Sequence, residues 1–285
     1  MPAEPEPRTA LLSIAGSDPS GGAGIQADLK TCTALGVYGA AAITCLTVQN
    51  TLGVRYFQPL APQLVYDQIR AVLEDLPVSH VKIGMVGSAA LAAAVAAALE
   101  DFTGEVIYDP VLRAGDGQRL MAAGELAGLA GALLPKVTVL TPNLPELACL
   151  SVAPPTAPDP DEEQLLRRAD ILLARFPNLR AVVITGGHRD QEESIVRDLL
   201  VLRPNQPERV VESRHPRLPS ANLHGTGCTF ATALAAWHLR GASYPEAFRR
   251  AAVFTLAAIR AGAGLTMGGG NGPLGHHLLV RPQEV

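Results

Sequence analysis

Residues 10–48, ALLSIAGSDPSGGAGIQADLKTCTALGVYGAAAITCLTV, contain the pattern that decides the fold. An apolar run (10–16) ends in a glycine-rich turn, a segment with apolar residues at helical spacing follows (24–36), and a second apolar run begins at residue 41. Such alternation of β-like and helix-like segments is typical of a parallel sheet with crossover helices. The stretch therefore predicts the first unit of an α/β fold.

The same alternation continues along the rest of the chain. Further strand-like runs are HVKIGM (80–85), EVIYDP (105–110), KVTVLT (136–141) and AVVITGG (181–187). Helical periodicity covers 62–76, 119–134 and 161–176. Residues 194–214 resemble two strands around a Pro-Asn turn, which predicts an antiparallel hairpin at the sheet edge, and two Ala-rich helices follow.

The expected architecture is α/β, with a mostly parallel central sheet, helices on both faces and an antiparallel edge hairpin. The chain has 285 residues, of which 48% are hydrophobic, enough to bury a large core. We expect residues 1–8, which are rich in proline, to form a disordered tail. Residues 9–285 are expected to form a single domain, because neither side of the Pro-rich loop at 151–163 is complete alone.

Composition excludes several classes of function. The formal net charge of −4, with no long run of one sign, gives no reason to expect a nucleic-acid partner. The start of the chain lacks the pattern of a secretory signal, and the most apolar windows fall short of the roughly 18 residues of a membrane span. We therefore expect a cytoplasmic protein. The four cysteines are scattered without CxxC spacing, which argues against structural zinc and a disulfide framework.

Ligands of such sheets gather beyond the carboxyl ends of the strands, and several polar motifs follow strand-like runs. The turn GSDPSGGAG (16–24) resembles a phosphate loop but lacks the lysine of that motif. Asp109, in the segment DPV, is either a metal ligand or part of an Asp-Pro turn. Asn143 and Glu146, in TPNLPE, form either a capping box or part of a Mg²⁺ site, and their spacing does not separate the two.

The segment NLHGTGCTFATALAA (222–236) places two glycines and a cysteine where an Ala-rich helix begins. A helix N-terminus offers unpaired N–H groups and a positive dipole end, which favour anions and lower the pKa of a thiol. Cys228 is thus a candidate thiolate beside a phosphate site, or a small buried residue at a helix start.

Taken together, these motifs resemble the hydroxymethylpyrimidine/phosphomethylpyrimidine kinases of thiamine biosynthesis, in the ribokinase-like superfamily. The resemblance rests on residues 14–54, followed in order by KIGM, DPV, TPNLPE, GGH, HGTGCT and GGGNGP. It implies a ribokinase-like three-layer sandwich, ATP with Mg²⁺, and phosphorylation of the hydroxymethyl group of 4-amino-5-hydroxymethyl-2-methylpyrimidine and then of its monophosphate. It also implies a homodimer.

The resemblance assigns roles residue by residue. Catalysis would use Cys228 as the base, in place of the aspartate of sugar kinases, beside an anion hole at Gly225, Thr226 and Gly227. The substrate pocket would be lined by Gly16, Ala23, Asp28, Gln49, Met85 and Val111. The nucleotide would contact Asn143, Thr185 and Thr226, and Mg²⁺ would lie near Asp109 and Glu146. The Gln49 amide offers a donor and an acceptor that match the edge of an aminopyrimidine.

The chain departs from the family pattern where positive charge is expected. Relatives commonly have lysine at the position of Thr185, and a small polar or lysine-bearing segment often replaces LRAGDGQRL after DPV. With only three lysines in the chain, arginine is a candidate replacement, and Arg113 and Arg189 are nearest in sequence. Two alternatives stay open: a pyridoxal kinase of the same branch, and a catalytically weak pyrimidine-binding sensor.

Overall fold

A nine-stranded sheet with helices on both faces forms the framework of the chain. The computed structural model describes residues 9–113, 117–121, 124–151, 161–187 and 194–280. The strands are β1 (Ala10–Ser17), β2 (Tyr38–Asn50), β3 (Gly53–Pro59), β4 (Val78–Ile83), β5 (Glu105–Tyr108), β6 (Val139–Leu140), β7 (Ala181–Ile184), β8 (Ile195–Leu202) and β9 (Val210–Pro216). The helices are α1 (Gly24–Ala34), α2 (Pro62–Asp75), α3 (Ala89–Ala98), α4 (Leu126–Leu133), α5 (Leu144–Leu150), α6 (Glu162–Arg175), α7 (Thr226–Leu239) and α8 (Tyr244–Gly262).

The strand order is β3-β2-β1-β4-β5-β6-β7-β8-β9. Strands β2, β1, β4, β5, β6 and β7 are parallel, whereas β3, β8 and β9 pair antiparallel to their neighbours. The predicted α/β class and the β8–β9 edge hairpin are therefore confirmed. Strand β3 was missed because its sequence, GVRYFQP, is half exposed at the opposite edge and lacks a clean apolar alternation.

Alternate side chains of the strands point into two separate cores. Leu12 and Ile14 of β1 belong to the cluster formed with α2 to α6, whereas Leu11 belongs to the cluster formed with α1, α7 and α8. This division follows from the period-two geometry of a strand, which sends successive side chains to opposite faces. The result is the predicted three-layer sandwich.

Local capping explains where several helices begin. Ser88, Asp161 and Ser243 each accept a hydrogen bond from the third residue of the following helix. The predicted helix over 119–134 was too long at its start, since α4 begins at Leu126. Gly124 precedes it with a φ of 88°, a left-handed conformation that glycine adopts without strain.

Within the described ranges, none of the helices combines the length and the apolar character needed to cross a membrane.

Helices α7 and α8 pack through two aromatic rings, and this contact provides a test of the second core. Phe230 and Phe248 lie edge to face with centroids 6.1 Å apart, and Phe248 is fully buried. We expect Phe248→Ala to lower the free energy of unfolding by about 3–5 kcal/mol, because it leaves a cavity. Val253→Ala, on the exposed side of the same helix, should cost about 0.5 kcal/mol or less in the same urea titrations. Equal losses would contradict the assignment of the core face.

Candidate active site

The loops after β1, β5, β6 and β7 meet the start of α7 at one edge of the sheet. This is the carboxyl edge of the parallel strands, where the sequence predicted a site. A different set of local contacts shapes each loop, and hydrogen bonds and close contacts between the loops set the geometry of the site.

Asp18 organises the loop after β1. Its carboxylate accepts hydrogen bonds from the backbone N–H groups of Ser20, Gly22 and Ala23, at 2.8 to 2.9 Å. The loop thus resembles a phosphate loop, but these three N–H groups donate to the loop's own Asp18 carboxylate, where a phosphate loop would donate to phosphate. Burial alone would raise the pKa of Asp18, yet the hydrogen bonds from His224, Ser20 and Ala23 lower it to about 2.

A second contact of Asp18 ties this loop to the start of α7. The ring Nε2 of His224 lies 2.8 Å from Asp18 Oδ2, and the ring covers Gly22 so closely that a Cβ there would lie 2.4 Å from His224 Cδ2. Gly225 has a φ of 87°, and a Cβ on it would come within 1.9 Å of the Gly22 oxygen. Two glycines and one His-Asp pair therefore fix the distance between the two loops.

The predicted anion hole lies at the first turn of α7. Gly225 caps the helix without a side-chain hydrogen bond, and the Thr226 hydroxyl donates to the Leu223 oxygen at 2.7 Å. A Cβ on Gly227 would lie 3.6 Å from Asp109 Oδ2, so the open face of this turn points towards the loop after β5. The N–H groups of a helix start are suited to binding an anion there.

Cys228 lies in the same turn and is partly exposed, but its surroundings oppose the low pKa that its place at a helix start predicts. Burial raises the pKa of the thiol to about 12, and attraction by Lys82 and a hydrogen bond from the Gly24 N–H offset this only in part. The carboxylates of Asp28 and Asp109 add repulsion. Desolvation therefore outweighs the helix dipole on which the sequence argument relied.

Asp109 and Glu146 place two buried carboxyl groups near each other. Burial raises the pKa of Asp109 to about 6, although Lys82 and a hydrogen bond from Cys228 act in the opposite direction. Burial and repulsion from Asp109 raise the pKa of Glu146 to about 8. Asp109 Oδ2 is buried without a hydrogen-bond partner among the described residues. Such a pair is suited to a cation that would neutralise it.

The capping box that the sequence suggested at Asn143 is present. Asn143 Oδ1 accepts from the Glu146 N–H at 2.9 Å, and Glu146 Oε2 accepts from the Asn143 N–H at 3.0 Å. The described residues contain no cluster of three or more His, Cys, Asp and Glu suited to a metal. Protein atoms alone would thus supply two carboxylates, which suits Mg²⁺, an ion that keeps several waters or phosphate oxygens.

The residues predicted to line the substrate pocket divide into two groups. Gly16 and Met85 are direct neighbours, since a Cβ on Gly16 would lie 3.1 Å from Met85 Sδ. Val111, two residues after Asp109, packs against the same apolar cluster as Met85. Gln49 lies half-buried at the end of β2. Asp28, by contrast, has no exposed side-chain surface, because it forms an ion pair with Lys82 one helical turn below the site. In this structure it cannot touch a ligand.

The remaining predictions concern the nucleotide. Thr185 pairs with Asn143 in an isolated parallel bridge, which brings the loops after β6 and β7 together. The Arg113 guanidinium donates to the Gly117 oxygen at 3.1 Å. Arg189 lies outside the described residues.

A cavity of about 440 Å³ adjoins the end of β2. Its lining residues come from the β2–β3 turn, the loop after β1 and the glycine loop near the end of the chain: Ser20, Asn50, Thr51, Leu52, Thr266, Met267, Gly268, Gly269 and Pro273. None of the predicted site residues is among them, so this cavity lies beside the site and does not contain the predicted catalytic groups.

A family model described as phosphomethylpyrimidine kinase matches residues 18–275. The chain belongs to this family. It is 41% identical over 265 residues to the hydroxymethylpyrimidine/phosphomethylpyrimidine kinase of Rhizobium meliloti, covering 93% of this chain and 96% of that protein. It is also 42% identical over 275 residues to the thiamine biosynthesis bifunctional protein ThiED of Geobacter sulfurreducens. That match covers 96% of this chain and 53% of the longer protein. The chain thus spans about half the length of the bifunctional relative.

The fold neighbours agree with the family. The pyridoxal kinase of Staphylococcus aureus in complex with AMP-PCP superposes with a TM-score of 0.81 at 30% identity, covering 94% of this chain and 93% of that chain. The predicted ribokinase-like fold of this phosphomethylpyrimidine kinase family member is therefore confirmed.

Sequence reasoning missed Asp18, His224 and Lys82. Asp18 lies in the quoted turn, and His224 lies directly before Gly225, but the two are 206 positions apart, so no local pattern predicts their contact. Chemistry gives the signal that could have found Asp18 and His224. A buried carboxylate in a glycine-rich turn, such as Asp18, needs hydrogen-bond donors. An imidazole next to a glycine in the left-handed conformation, such as His224 next to Gly225, is held close to the backbone.

The Asp18 contacts predict a specific dependence of stability on acid. The pKa of Asp18 is lowered from its ordinary value of 3.8 to about 2 in the folded protein, so its contribution is present above pH 4 and is lost as the pH falls towards 2. The loss should be about 2 kcal/mol. In Asp18→Asn, unfolding free energies measured between pH 5 and pH 2 should lack this component. The exposed control Asp101→Asn should retain it, and an unchanged acid profile in Asp18→Asn would contradict the assignment.

Proposed function

We propose that this chain catalyses ATP-dependent phosphorylation of 4-amino-5-hydroxymethyl-2-methylpyrimidine, and of its monophosphate to the diphosphate, in thiamine biosynthesis. The observation that carries the proposal is the match along nearly the whole of both chains to a hydroxymethylpyrimidine/phosphomethylpyrimidine kinase at 41% identity. The loops at the carboxyl edge of the sheet support it, since they combine a helix start suited to phosphate with buried acidic groups.

The anion hole would act on the transferring phosphoryl group. The Thr226 N–H donates to the Leu223 oxygen at 3.2 Å, so Gly225 and Gly227 would supply the open N–H groups. The close contact with Gly22 fixes Gly225, so these donors need not reorganise as negative charge develops. Preorganised donors of this kind stabilise the transition state more than the ground state. Thr226 would contribute from the same turn to binding the nucleotide phosphates, with Asn143 and Thr185 on the neighbouring loops.

Cys228 would accept the proton of the substrate hydroxymethyl group. The thiolate must form before it can do so, because burial raises the pKa of the thiol. The base would thus be the thiolate form of Cys228, while Asp109 stays ionised to hold the cation.

Asp109 and Glu146 would hold Mg²⁺. The unpartnered Asp109 Oδ2 and the raised pKa of Glu146 fit a cation at this place. Mg²⁺ bound there would neutralise charge on the phosphates of ATP. Arg113 is the described candidate for a further positive charge on the nucleotide, and Arg189 remains a prediction from sequence.

The substrate pocket would lie between Gly16, Met85, Val111 and Gln49. The small Gly16 and its apolar neighbours allow an aromatic ring to approach the end of β1, and the Gln49 amide would recognise the polar edge of the ring. Ala23 would line the side towards α1. Asp28 would support this pocket from below, since it is buried against Lys82.

We also propose a homodimer that uses the β2–β3 edge of the sheet. Val48 and Tyr56 are cross-strand partners, so with Leu46, two residues away, they share one face. Their exposed fractions are 38%, 60% and 47%, which is unusual for apolar side chains that lie together. A second copy would cover this face. A cytoplasmic location remains a prediction from sequence.

A pyridoxal kinase is the second candidate, because the S. aureus pyridoxal kinase matches with a TM-score of 0.81. ADP release should be measured with the hydroxymethylpyrimidine, its monophosphate and pyridoxal offered separately. We expect turnover with both pyrimidines and a higher kcat/KM for them than for pyridoxal. The reverse preference would favour the pyridoxal kinase, and tight pyrimidine binding without any turnover would favour a sensor.

Gln49→Leu is the matched variant for that assay. It keeps the volume of the side chain but leaves the polar edge of the pyrimidine unpaired, at a cost of about 1–3 kcal/mol per group. KM for the pyrimidine should rise while KM for ATP stays unchanged. An unaltered pyrimidine KM would remove Gln49 from the pocket without affecting the assignment of the reaction.

The role of Cys228 predicts both a rate loss and a pH profile. Cys228→Ala should bind substrates but turn over about 10²–10⁴-fold more slowly, the usual contribution of a positioned general base. Because the free thiol has a pKa of about 12, kcat/KM of the parent should rise with pH across the neutral range. Cys228→Asp should recover part of the rate and keep it at lower pH. Full turnover by Cys228→Ala would show that the proton leaves by another route.

A further inference from the structure

Four polar side chains meet in the interior directly below the site: Ser13 of β1, Asp28 of α1, Lys82 of β4 and Thr232 of α7. We name this group the Lys82 cluster. All four are at most 1% exposed. The Lys82 ammonium lies 3.0 and 3.1 Å from the two oxygens of Asp28. The hydroxyls of Ser13 and Thr232 donate to the same carboxylate at 2.6 and 2.8 Å. Every group in the cluster thus has a hydrogen-bond partner.

The Lys82 cluster lies one helical turn beneath the catalytic edge. Asp28 follows Gly24 by four positions in α1, and Thr232 follows Cys228 by four positions in α7, so both helices present one residue to the site and one to the cluster. On the sheet side, Lys82 pairs in register with Ile107, two residues before Asp109. The cluster therefore joins the starts of α1 and α7 to the strands that carry the acidic groups.

Stability alone does not explain a lysine at this depth. Moving two charges out of water costs about as much as their attraction returns, and apolar pairs of the same volume often replace buried ion pairs without loss. Lys82 does, however, lie directly beneath the site. It pairs in register with Ile107, two residues before Asp109, and its partner Asp28 accepts a hydrogen bond from Thr232, one turn along α7 from Cys228. Its position thus places a fixed positive charge beneath those two groups.

We propose that Lys82 is a positioning residue of the phosphoryl transfer: anchored by Asp28, it holds the first turns of α1 and α7 in register with the sheet and supplies fixed positive charge beneath Cys228 and Asp109. The inference rests on the proposed kinase function. It gives the catalytic edge a buried cation, in a chain that has threonine instead of lysine at position 185, without contact between Lys82 and substrate.

The test replaces both charges at once, by Lys82→Met with Asp28→Asn, so that no buried charge is left unpaired. Ser13 and Thr232 donate to different oxygens of Asp28, so the amide oxygen introduced at position 28 can accept from one hydroxyl and the amide NH₂ can donate to the other. We expect a melting temperature close to that of the parent, KM values for ATP and the pyrimidine within roughly twofold, and kcat lowered roughly tenfold or more. A double variant with the parent kcat, or one in which KM and kcat deteriorate together, would overturn the proposal.

Val81→Ala is the matched control, because Val81 is fully buried in the same strand but belongs to the other core. It should lower the melting temperature and leave kcat unchanged below that temperature. If it lowers kcat as the double variant does, the effect of Lys82 is simply one of stability. If the parent itself phosphorylates no pyrimidine, the proposed function has failed, an outcome distinct from a failure of Lys82.

A second measurement needs no substitution, since the chain has only three lysines, Lys30, Lys82 and Lys136. In protein labelled with ¹³C at lysine Cε, the Lys82 signal should shift when AMP-PCP and the pyrimidine bind, because their charges arrive directly above the cluster. Lys136, which precedes β6 at the opposite edge of the sheet and pairs with Glu100, should not shift. An unchanged Lys82 chemical shift at saturating concentrations of both ligands would overturn the proposal, even if the double variant failed to fold.

Discussion

Helices α1 and α7 begin side by side at the carboxyl edge of the sheet, and the contact between Gly22 and Gly225 sets how closely they approach. A Cβ on Gly225 would collide with the Gly22 oxygen at 1.9 Å, so a side chain there would push the two loops apart. The Asp18–His224 pair closes the same contact from the other side. The positions of Ala23, Gly227 and Cys228 all depend on this approach.

Two opposing electrostatic effects meet at that edge. Helix starts favour anions, but Asp28 and Asp109 lie close to the Cys228 thiol at this helix start, and Glu146 lies close to Asp109. Desolvation then dominates, since it raises the pKa values of Asp109, Glu146 and Cys228 together. Positive charge, from Lys82 or from a cation held by the carboxylates, would relieve this excess of acidic groups. Perturbed pKa values of this kind are typical of functional sites.

Prediction from sequence succeeded where a local pattern has one physical solution. The parallel strands are buried on both faces and are therefore continuous apolar runs. Asn143 with Glu146 forms the capping box, one of the two outcomes that their spacing left open. It failed where exposure to solvent removes the apolar pattern, as at β3. It also failed where the charge or accessibility of a side chain depends on how deeply that side chain is buried. The pKa of Cys228 and the burial of Asp28 belong to the second class, because neither a helix start nor a motif specifies how many carboxylates lie behind it.

The amino-acid sequence by itself determined the layered α/β fold, the edge hairpin at β8 and β9, and the family. Hydrophobic periodicity and short motifs are local patterns, so each can be recognised without knowing which other segments it packs against. Only the tertiary structure decided which polar side chains are in contact: Asp18 with His224 across 206 positions, and Lys82 with Asp28 across 54. Such pairs form because helices α1 and α7 pack side by side on the sheet and bring segments distant in sequence together. The charges of these pairs are then set by the burial that the packing creates.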